Sequence, residues 1–452
     1  MSRLVAISFT VFHILLGYVI AQNRELSFYF GLAIIASAVF QIINTRNANN
    51  EAGRWAAYII GLEILLRMTG GFLVWEAGKY AVIFILLIGF VVERLRKPYP
   101  VVILLYGLLL LPSLSVVNFP DFMHFRKDVS FNLSGPFVLI VAATYFYKRK
   151  IDSEAFFQLG RMIVWPLIAV VTYLFLVTPE LSEIEYGTQS NFQASAGFGP
   201  NQISIMMGTG IFFTGLGLYY RKTITGFFIG DILLLLVFII RGLVTFSRGG
   251  MIGGVVALII VVLFNVFVVN RGGSTTKTLV YGFAGLVLFF WAWSYVNEIS
   301  ENRLQYRYQG INYRTGKQRD LTSGRFIILA HELELFRQNP VFGIGPGMVR
   351  EVAVQGRGIA NTHSEYSRTL AEHGLFGVMA LLILIFFPIR YIASNNRELY
   401  PFFFPILFLV FFTMFHSAMR LAMPGFLYGL IFILPVGPKV IPRIVKDEIR
   451  SR

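Results

Sequence analysis

The stretch NTHSEYSRTLAEHGLFG, residues 361–377, sets two histidines, two glutamates and an arginine where a polar segment runs into an apolar one. A neutral imidazole at His363 can take the proton from an attacking hydroxyl, a step worth roughly 10²- to 10⁴-fold in rate. Thr362 followed by Glu365 fits a capping box. That cap puts His363 in a first helical turn, where the helix dipole disfavours imidazolium and backbone amides suit a phosphate. Ser364, Glu365 and Arg368 stand within reach as supporting groups. Two further arginines suit an anion, Arg248 in TFSRGGMIGG and Arg325 in TSGRFIILAHELELFRQNP, because a guanidinium grips phosphate with paired hydrogen bonds. Arg241 lies seven residues before Arg248, near the outer end of the same span and on roughly the same helix face. The plainer readings are an interface anchor beside Gly249 and Gly250 for Arg248, a capping histidine for His363 and a packing histidine for His373.

What must position these groups is a set of membrane helices. The 452 residues are 56% hydrophobic and 14% charged, with 45 Phe, far outside the usage of a soluble domain. Apolar runs recur at 4–20, 26–43, 55–75, 80–92, 100–117, 133–147, 162–178, 199–220, 226–244, 250–269, 278–296, 366–387, 400–417 and 421–436. Most are long enough to cross a hydrocarbon core of about 30 Å as helix. The expectation is an all-α polytopic protein of about 12–14 transmembrane helices, forming a single integral membrane domain over 1–452.

Lys and Arg alternate along the chain as the positive-inside rule requires. With the N-terminus inside, even-numbered spans emerge at Arg46/Arg54, Arg94/Arg96/Lys97, Lys148/Arg149/Lys150, Arg221/Lys222, Arg271/Lys277, Arg390/Arg397 and the basic tail. Both termini are then cytoplasmic. The net charge of +15 follows from topology and anionic lipid and calls for no nucleic acid. On the outer side 297–365 is too long for a connector and reads as a folded functional element. Its first half is basic, with Arg303, Arg307, Arg314, Lys317, Arg319 and Arg325 against Asp320. Within it a helix is predicted, capped by Thr322 or Ser323, striped by Phe326, Leu329/Ala330, Leu333 and Phe336, and ended at Asn339-Pro340. GIGPG, 343–347, makes a tight turn.

Other chemistries are poorly served. With no cysteine, disulfides, thiol catalysis and thiolate metal sites are absent together. GIGPG lacks the Lys-Ser/Thr of a nucleotide loop. The pairs at 183–185 and 332–334 would suit a divalent ion but read as solvated acids, and no metal or cofactor is expected. Glu63 and Arg67, one turn apart, read as a buried ion pair. A transporter would place ionisable groups at mid-membrane on several spans. Only Glu63, Arg67, Asp231 and Arg241 qualify loosely, while the functional-looking groups gather on one side.

HSEYSRTLAEHGLFG resembles the His-[Asn/Ser]-x9-Gly-x-x-Gly pattern of the O-antigen ligase and O-antigen polymerase superfamily, at His363, Ser364, Gly374 and Gly377. SAGFGPNQIS resembles its Pro-Asn segment at Pro200-Asn201, SRGG its Ser-Arg motif, and GRFIILAHELELFRQNPVFGIGPG the Arg-helix-Pro-x-x-Gly-x-Gly run. The resemblance spans about 195 to 377 and implies a GT-C-like membrane glycosyltransferase at the periplasmic face of the bacterial inner membrane. Its donor would be a glycan on undecaprenyl diphosphate, held by Arg248 and Arg325 in a lipid environment, with His363 activating the acceptor and Asn201 in support. The acceptor would be lipid A core for a ligase, a second lipid-linked glycan for a polymerase, or a protein side chain. One departure stands out. Many members place an acid four residues after the histidine of a His-Ser pair in the penultimate span, whereas here HSAMR puts Arg420 after His416.

Overall fold

Segments this apolar can satisfy their backbone in lipid only as helix. The computed structural model describes residues 2–94, 98–118, 121–187, 189–269, 275–318, 324–356, 362–395 and 400–436. Its helices in chain order are α1 (Arg3–Gln22), α2 (Leu26–Thr45), α3 (Glu51–Thr69), α4 (Ala77–Val92), α5 (Val101–Leu109), α6 (Phe122–Phe146), α7 (Ser153–Val177), α8 (Pro200–Tyr219) and α9 (Phe228–Val244). There follow α10 (Arg248–Phe264), α11 (Thr275–Ile299), α12 (Arg303–Gln309), α13 (Arg325–Gln338), α14 (Met348–Gly356), α15 (Glu365–Asn395), α16 (Tyr400–Ser417) and α17 (Met423–Leu430). The only described sheet is a parallel pair, β1 (Lys150–Asp152) and β2 (Leu434–Val436).

Eight helices are long and apolar enough to span a membrane, and three shorter apolar ones, Ala77–Val92, Val101–Val116 and Pro401–Ser417, join them. The buried, charge-bearing α3 and α9 complete an all-α polytopic fold as expected. Four segments differ from the sequence reading. α5 stops at Leu109 and a 3-10 turn, Pro112–Val116, carries on, because Pro112 cannot continue the helical bonding. α6 begins at Phe122, well before 133, capped by the Asp121 side chain. The last span, expected at 421–436, holds only the eight residues of α17 before β2. The twelfth, expected at 366–387, is broken inside.

That break is at Gly374, whose φ of 58° and ψ of −136° are not helical. A Cβ there would lie 2.6 Å from the Gly343 nitrogen and 2.7 Å from the Pro340 carbonyl oxygen, so only glycine fits. The turn 340–347 docks into the break. Ile344 and Gly345 amides donate to the carbonyls of Ala371 and Glu372, the Leu375 amide donates to Pro340, and the Glu372 carboxylate accepts from the Gly347 amide at 2.9 Å. GIGPG is therefore a plug that satisfies the backbone of a broken helix, which lipid would leave unpaired.

The other close approach is between α8 and α10. A Cβ on Gly250 would fall 2.1 Å from the Ser204 carbonyl carbon, and one on Gly254 2.3 Å from the Gly208 oxygen, so the two backbones are in contact. This fixes the starts of both helices side by side.

The long loop is helical, with α12, α13 and α14, but α13 shows a different face from the predicted stripe. Ile328, Glu332 and Leu335 are buried, while Phe326 is 65% and Leu333 43% exposed. The helix packs on the polar face of α15, through Glu332 and Ser367, and turns its greasy side outward. Gly324 precedes α13, and the expected cap residues Thr322 and Ser323 lie outside the described residues.

Replacing Gly374 with Ala should cost about 1–3 kcal/mol from backbone strain alone. Gly285→Ala, where a Cβ meets nothing within 4 Å, serves as the control. Thermal unfolding in detergent should show a clear loss for the first and none for the second; equal stability of the two variants would refute the plug.

Candidate active site

The site begins where α8 and α10 are held together. Pro200 opens α8, and the Asn201 side-chain oxygen accepts from the Ser247 hydroxyl at 2.7 Å. Ser204 donates to the Ser247 carbonyl, also at 2.7 Å, so the Pro-Asn and Ser-Arg segments form one hydrogen-bonded unit. Arg248 is the first residue of α10. Just before it Phe246 adopts a φ of 54°, a conformation a bulky side chain rarely takes. Its carbonyl accepts from Arg307 Nε at 3.2 Å, and Arg248 donates back to the Arg307 carbonyl at 3.3 Å. α12 is thereby stitched to the start of α10.

From the other side come α13, α15 and α16. Arg325 opens α13 and donates to Nδ1 of His416 in the last turn of α16. An arginine only donates, so His416 Nδ1 is the acceptor and its proton sits on Nε2, which is buried without a partner. The ring lies flat against Gly249, where a Cβ would be 2.2 Å from it. His363 stands two residues before α15, with its Nδ1 buried and unpaired. Burial, then the charges of Arg420 and Arg325, hold its pKa down to about 3. Burial, then Arg248, pulls Arg325 down to about 10, which leaves it charged at neutral pH.

These groups enclose a cavity of about 400 Å³. Of the residues singled out from sequence, Asn201, Arg248, Arg325, His363 and Ser364 line it. Arg241 does not. The turn at 245–247 ends α9 before Arg248, so the two arginines lie on different helices, and Arg241 sits 3.9 Å over the Phe175 ring and donates to the Thr178 hydroxyl. Glu365 and Arg368 lie behind the wall. Arg368 pairs with Glu365 and, at 3.0 Å, with Glu372, and reaches the Asn132 side chain. The expected capping box is not formed, because Glu365 turns to Arg368 and to the Met419 amide. His363 therefore owes its neutrality to burial and neighbouring cations, and it precedes the helix instead of occupying its first turn. His373 is bonded to Ser113 at 2.6 Å, away from the cavity.

The cavity also contains Arg307, Tyr308, Glu332, Ser367 and His416, which the sequence reading left out of the site. Arg307 was visible within the basic loop, and His416 in its His-Ser pair. Glu332 gave no signal beyond a pair of acids. Among the described residues no three His, Asp or Glu converge on a metal position.

A turn fixes the α16 end of the site. At Ser417–Ala422, Ala418 has a φ of 52°. The Met419 amide donates to Glu365, the Arg420 carbonyl accepts from Arg67 at 3.0 Å, and the Ala422 amide donates to Glu63 at 2.9 Å. Glu63 and Arg67 are the expected ion pair, 2.6 Å apart, extended by Glu76 and Lys79. Arg420, four residues after His416, donates to the Thr362 carbonyl at 2.6 Å and so grips the segment that bears His363.

The family model described as O-antigen ligase matches residues 232–382, a stretch that contains Arg248, Arg325 and His363 and ends before His416 and Arg420. No curated protein matches the chain. Residues 232–382 are thus an O-antigen ligase domain, set within a chain whose long apolar helices are those of a membrane protein.

Proposed function

We propose that the protein transfers a glycan from undecaprenyl diphosphate to an acceptor hydroxyl at the periplasmic face of the bacterial inner membrane, with lipid A core as the acceptor. The observation that carries this reading is one cavity in which Arg248, Arg307 and Arg325 meet an uncharged His363. In the reaction the acceptor oxygen attacks the anomeric carbon and its proton passes to His363. The bond from that carbon to the diphosphate oxygen breaks, and the electron pair leaves with undecaprenyl diphosphate. The guanidinium groups meet the charge that develops there, which is where fixed charges lower a barrier most. The donor's diphosphate ester is already activated, so nucleotide is not needed, and the arginines take the part a divalent ion plays elsewhere.

The position of the cavity supports an outward-facing site. α3 carries Glu51 at one end, near Arg46, Arg54 and Arg149, and Arg67 at the other, against the Arg420 carbonyl. The cavity lies at the end remote from that basic cluster, as the positive-inside rule requires of a periplasmic site. The buried ionisable groups argue against transport. Glu63 and Arg67 are engaged with each other and with the α16–α17 turn, and Asp231 caps the Ile224 and Thr225 amides.

In proteoliposomes supplied with undecaprenyl-diphosphate-linked glycan and rough lipopolysaccharide, transfer should proceed with chelator and without nucleotide. His363→Ala should lower it by roughly 10²- to 10⁴-fold, and Arg248→Ala or Arg325→Ala by about 10²-fold or more. Wild-type rates in His363→Ala would refute the base assignment.

A base whose pKa lies near 3 is already deprotonated at neutral pH. kcat/KM for the donor, which reports the free enzyme, should therefore stay level from pH 8 down to about 5, with no fall near the ordinary histidine value of about 6.5. Arg420→Gln removes a cation that opposes protonation and should move the acid limb upward. A wild-type midpoint near 6.5 would contradict the assignment.

A further inference from the structure

The arginines and His363 account for the leaving group and the proton; Glu332 has no part in that chemistry. Among the described residues lining the cavity it is the only acid. It is wholly buried on the inner face of α13. Its Oε2 accepts the Ser367 hydroxyl, with the Thr362 side chain also beside the carboxylate. Its Oε1 is buried and has no partner. Buried carboxylate oxygens are seldom left bare, and one that faces a cavity is completed when a ligand brings a donor. The donor's diphosphate is a poor match for that oxygen, since it offers acceptors and the cavity's arginines suit it better. Nor does Glu332 orient the base, because its Oε1 is unpaired and its Oε2 is taken by the Ser367 hydroxyl.

A sugar hydroxyl is the group that fits, because it donates to a carboxylate while its neighbour can be deprotonated. We propose, resting on the transferase reading above, that Glu332 recognises the acceptor sugar, with Oε1 accepting a hydrogen bond from a hydroxyl next to the attacking one. The helix sets the spacing. Arg325 and Glu332 are seven residues apart on α13, two turns or about 10 Å along the axis. The diphosphate clamp lies at one end of that interval and the acceptor sugar at the other, with room for the transferred sugar's anomeric centre between them. Ser367 holds the carboxyl group in one orientation. Glu332 is thus a specificity residue for the acceptor, and Ser367 a positioning residue behind it.

The test uses the full-length protein in proteoliposomes, with undecaprenyl-diphosphate-linked glycan as donor and rough lipopolysaccharide as acceptor. Glu332→Gln should raise the acceptor KM at least tenfold and leave the donor KM within twofold. Glu332→Asp should recover part of the loss. Ser367→Ala, which keeps the carboxylate and frees its orientation, should give a smaller rise in acceptor KM alone, and it carries the test if Glu332→Gln fails to fold. An acceptor KM within twofold of wild type, or donor and acceptor KM rising together as a packing defect would cause, overturns the proposal. Stabilisation by undecaprenyl diphosphate alone, read as a thermal shift, separates the two claims. If wild type is not stabilised, the donor reading falls and this proposal with it; if wild type and Glu332→Gln are stabilised equally while their acceptor KM values match, only the Glu332 assignment falls.

Discussion

The site depends on how the turn Ser417–Ala422 is held. A turn between two membrane helices releases backbone amides and carbonyls that lipid cannot satisfy, and charges inside the bundle must be paired. One arrangement meets both demands. Glu365 takes the Met419 amide, Arg67 the Arg420 carbonyl and Glu63 the Ala422 amide, while each of these charges is also matched by an ion pair. The turn is thus fastened from α3 on one side and α15 on the other. His416, just before it, can then hold Arg325, and Arg420 within it can hold the segment that presents His363.

The cavity's electrostatics follow from that scaffold. Among the described residues, three guanidinium groups share its walls with one acid, and burial together with Arg248 lowers the affinity of Arg325 for its proton. Such a set is relieved when an anion enters, which suits the diphosphate leaving group of the proposed reaction. Burial, then Arg420 and Arg325, keep His363 free of a proton, and of these two cations only Arg325 lines the cavity. Exposed Phe326 and Ile327 stand at the start of α13 beside Arg325, an apolar approach suited to a lipid-borne substrate.

Much of this could be read from sequence because the relevant signals are local. Helix existence followed from apolar run length, and Asn201, Arg248, Arg325 and His363 stood in short motifs that the fold does bring to one cavity. What could not be read was geometry that depends on partners far along the chain. Glu365 had the spacing of a cap, but a buried arginine and a distant amide outcompeted the local bond. The apolar stripe of α13 pointed the wrong way because a membrane protein turns grease outward and buries polarity. Arg241 was matched to Arg248 by helical spacing, a spacing annulled by the turn at Phe246. Gly374 stood in the histidine motif, but its positive φ and its plug at 340–347 appear only in three dimensions.

The arginine-lined cavity is proposed to receive the diphosphate of the lipid-linked donor. A structure of the protein with undecaprenyl diphosphate bound, determined by electron cryomicroscopy in nanodiscs, tests it most directly. Diphosphate oxygens are expected within hydrogen-bond distance of Arg248 and Arg325, with the first phosphorus on the side of His363 and the lipid tail passing Phe326. Diphosphate density in the groove lined by Trp75, Arg126 and Lys127, with the cavity vacant, would contradict it.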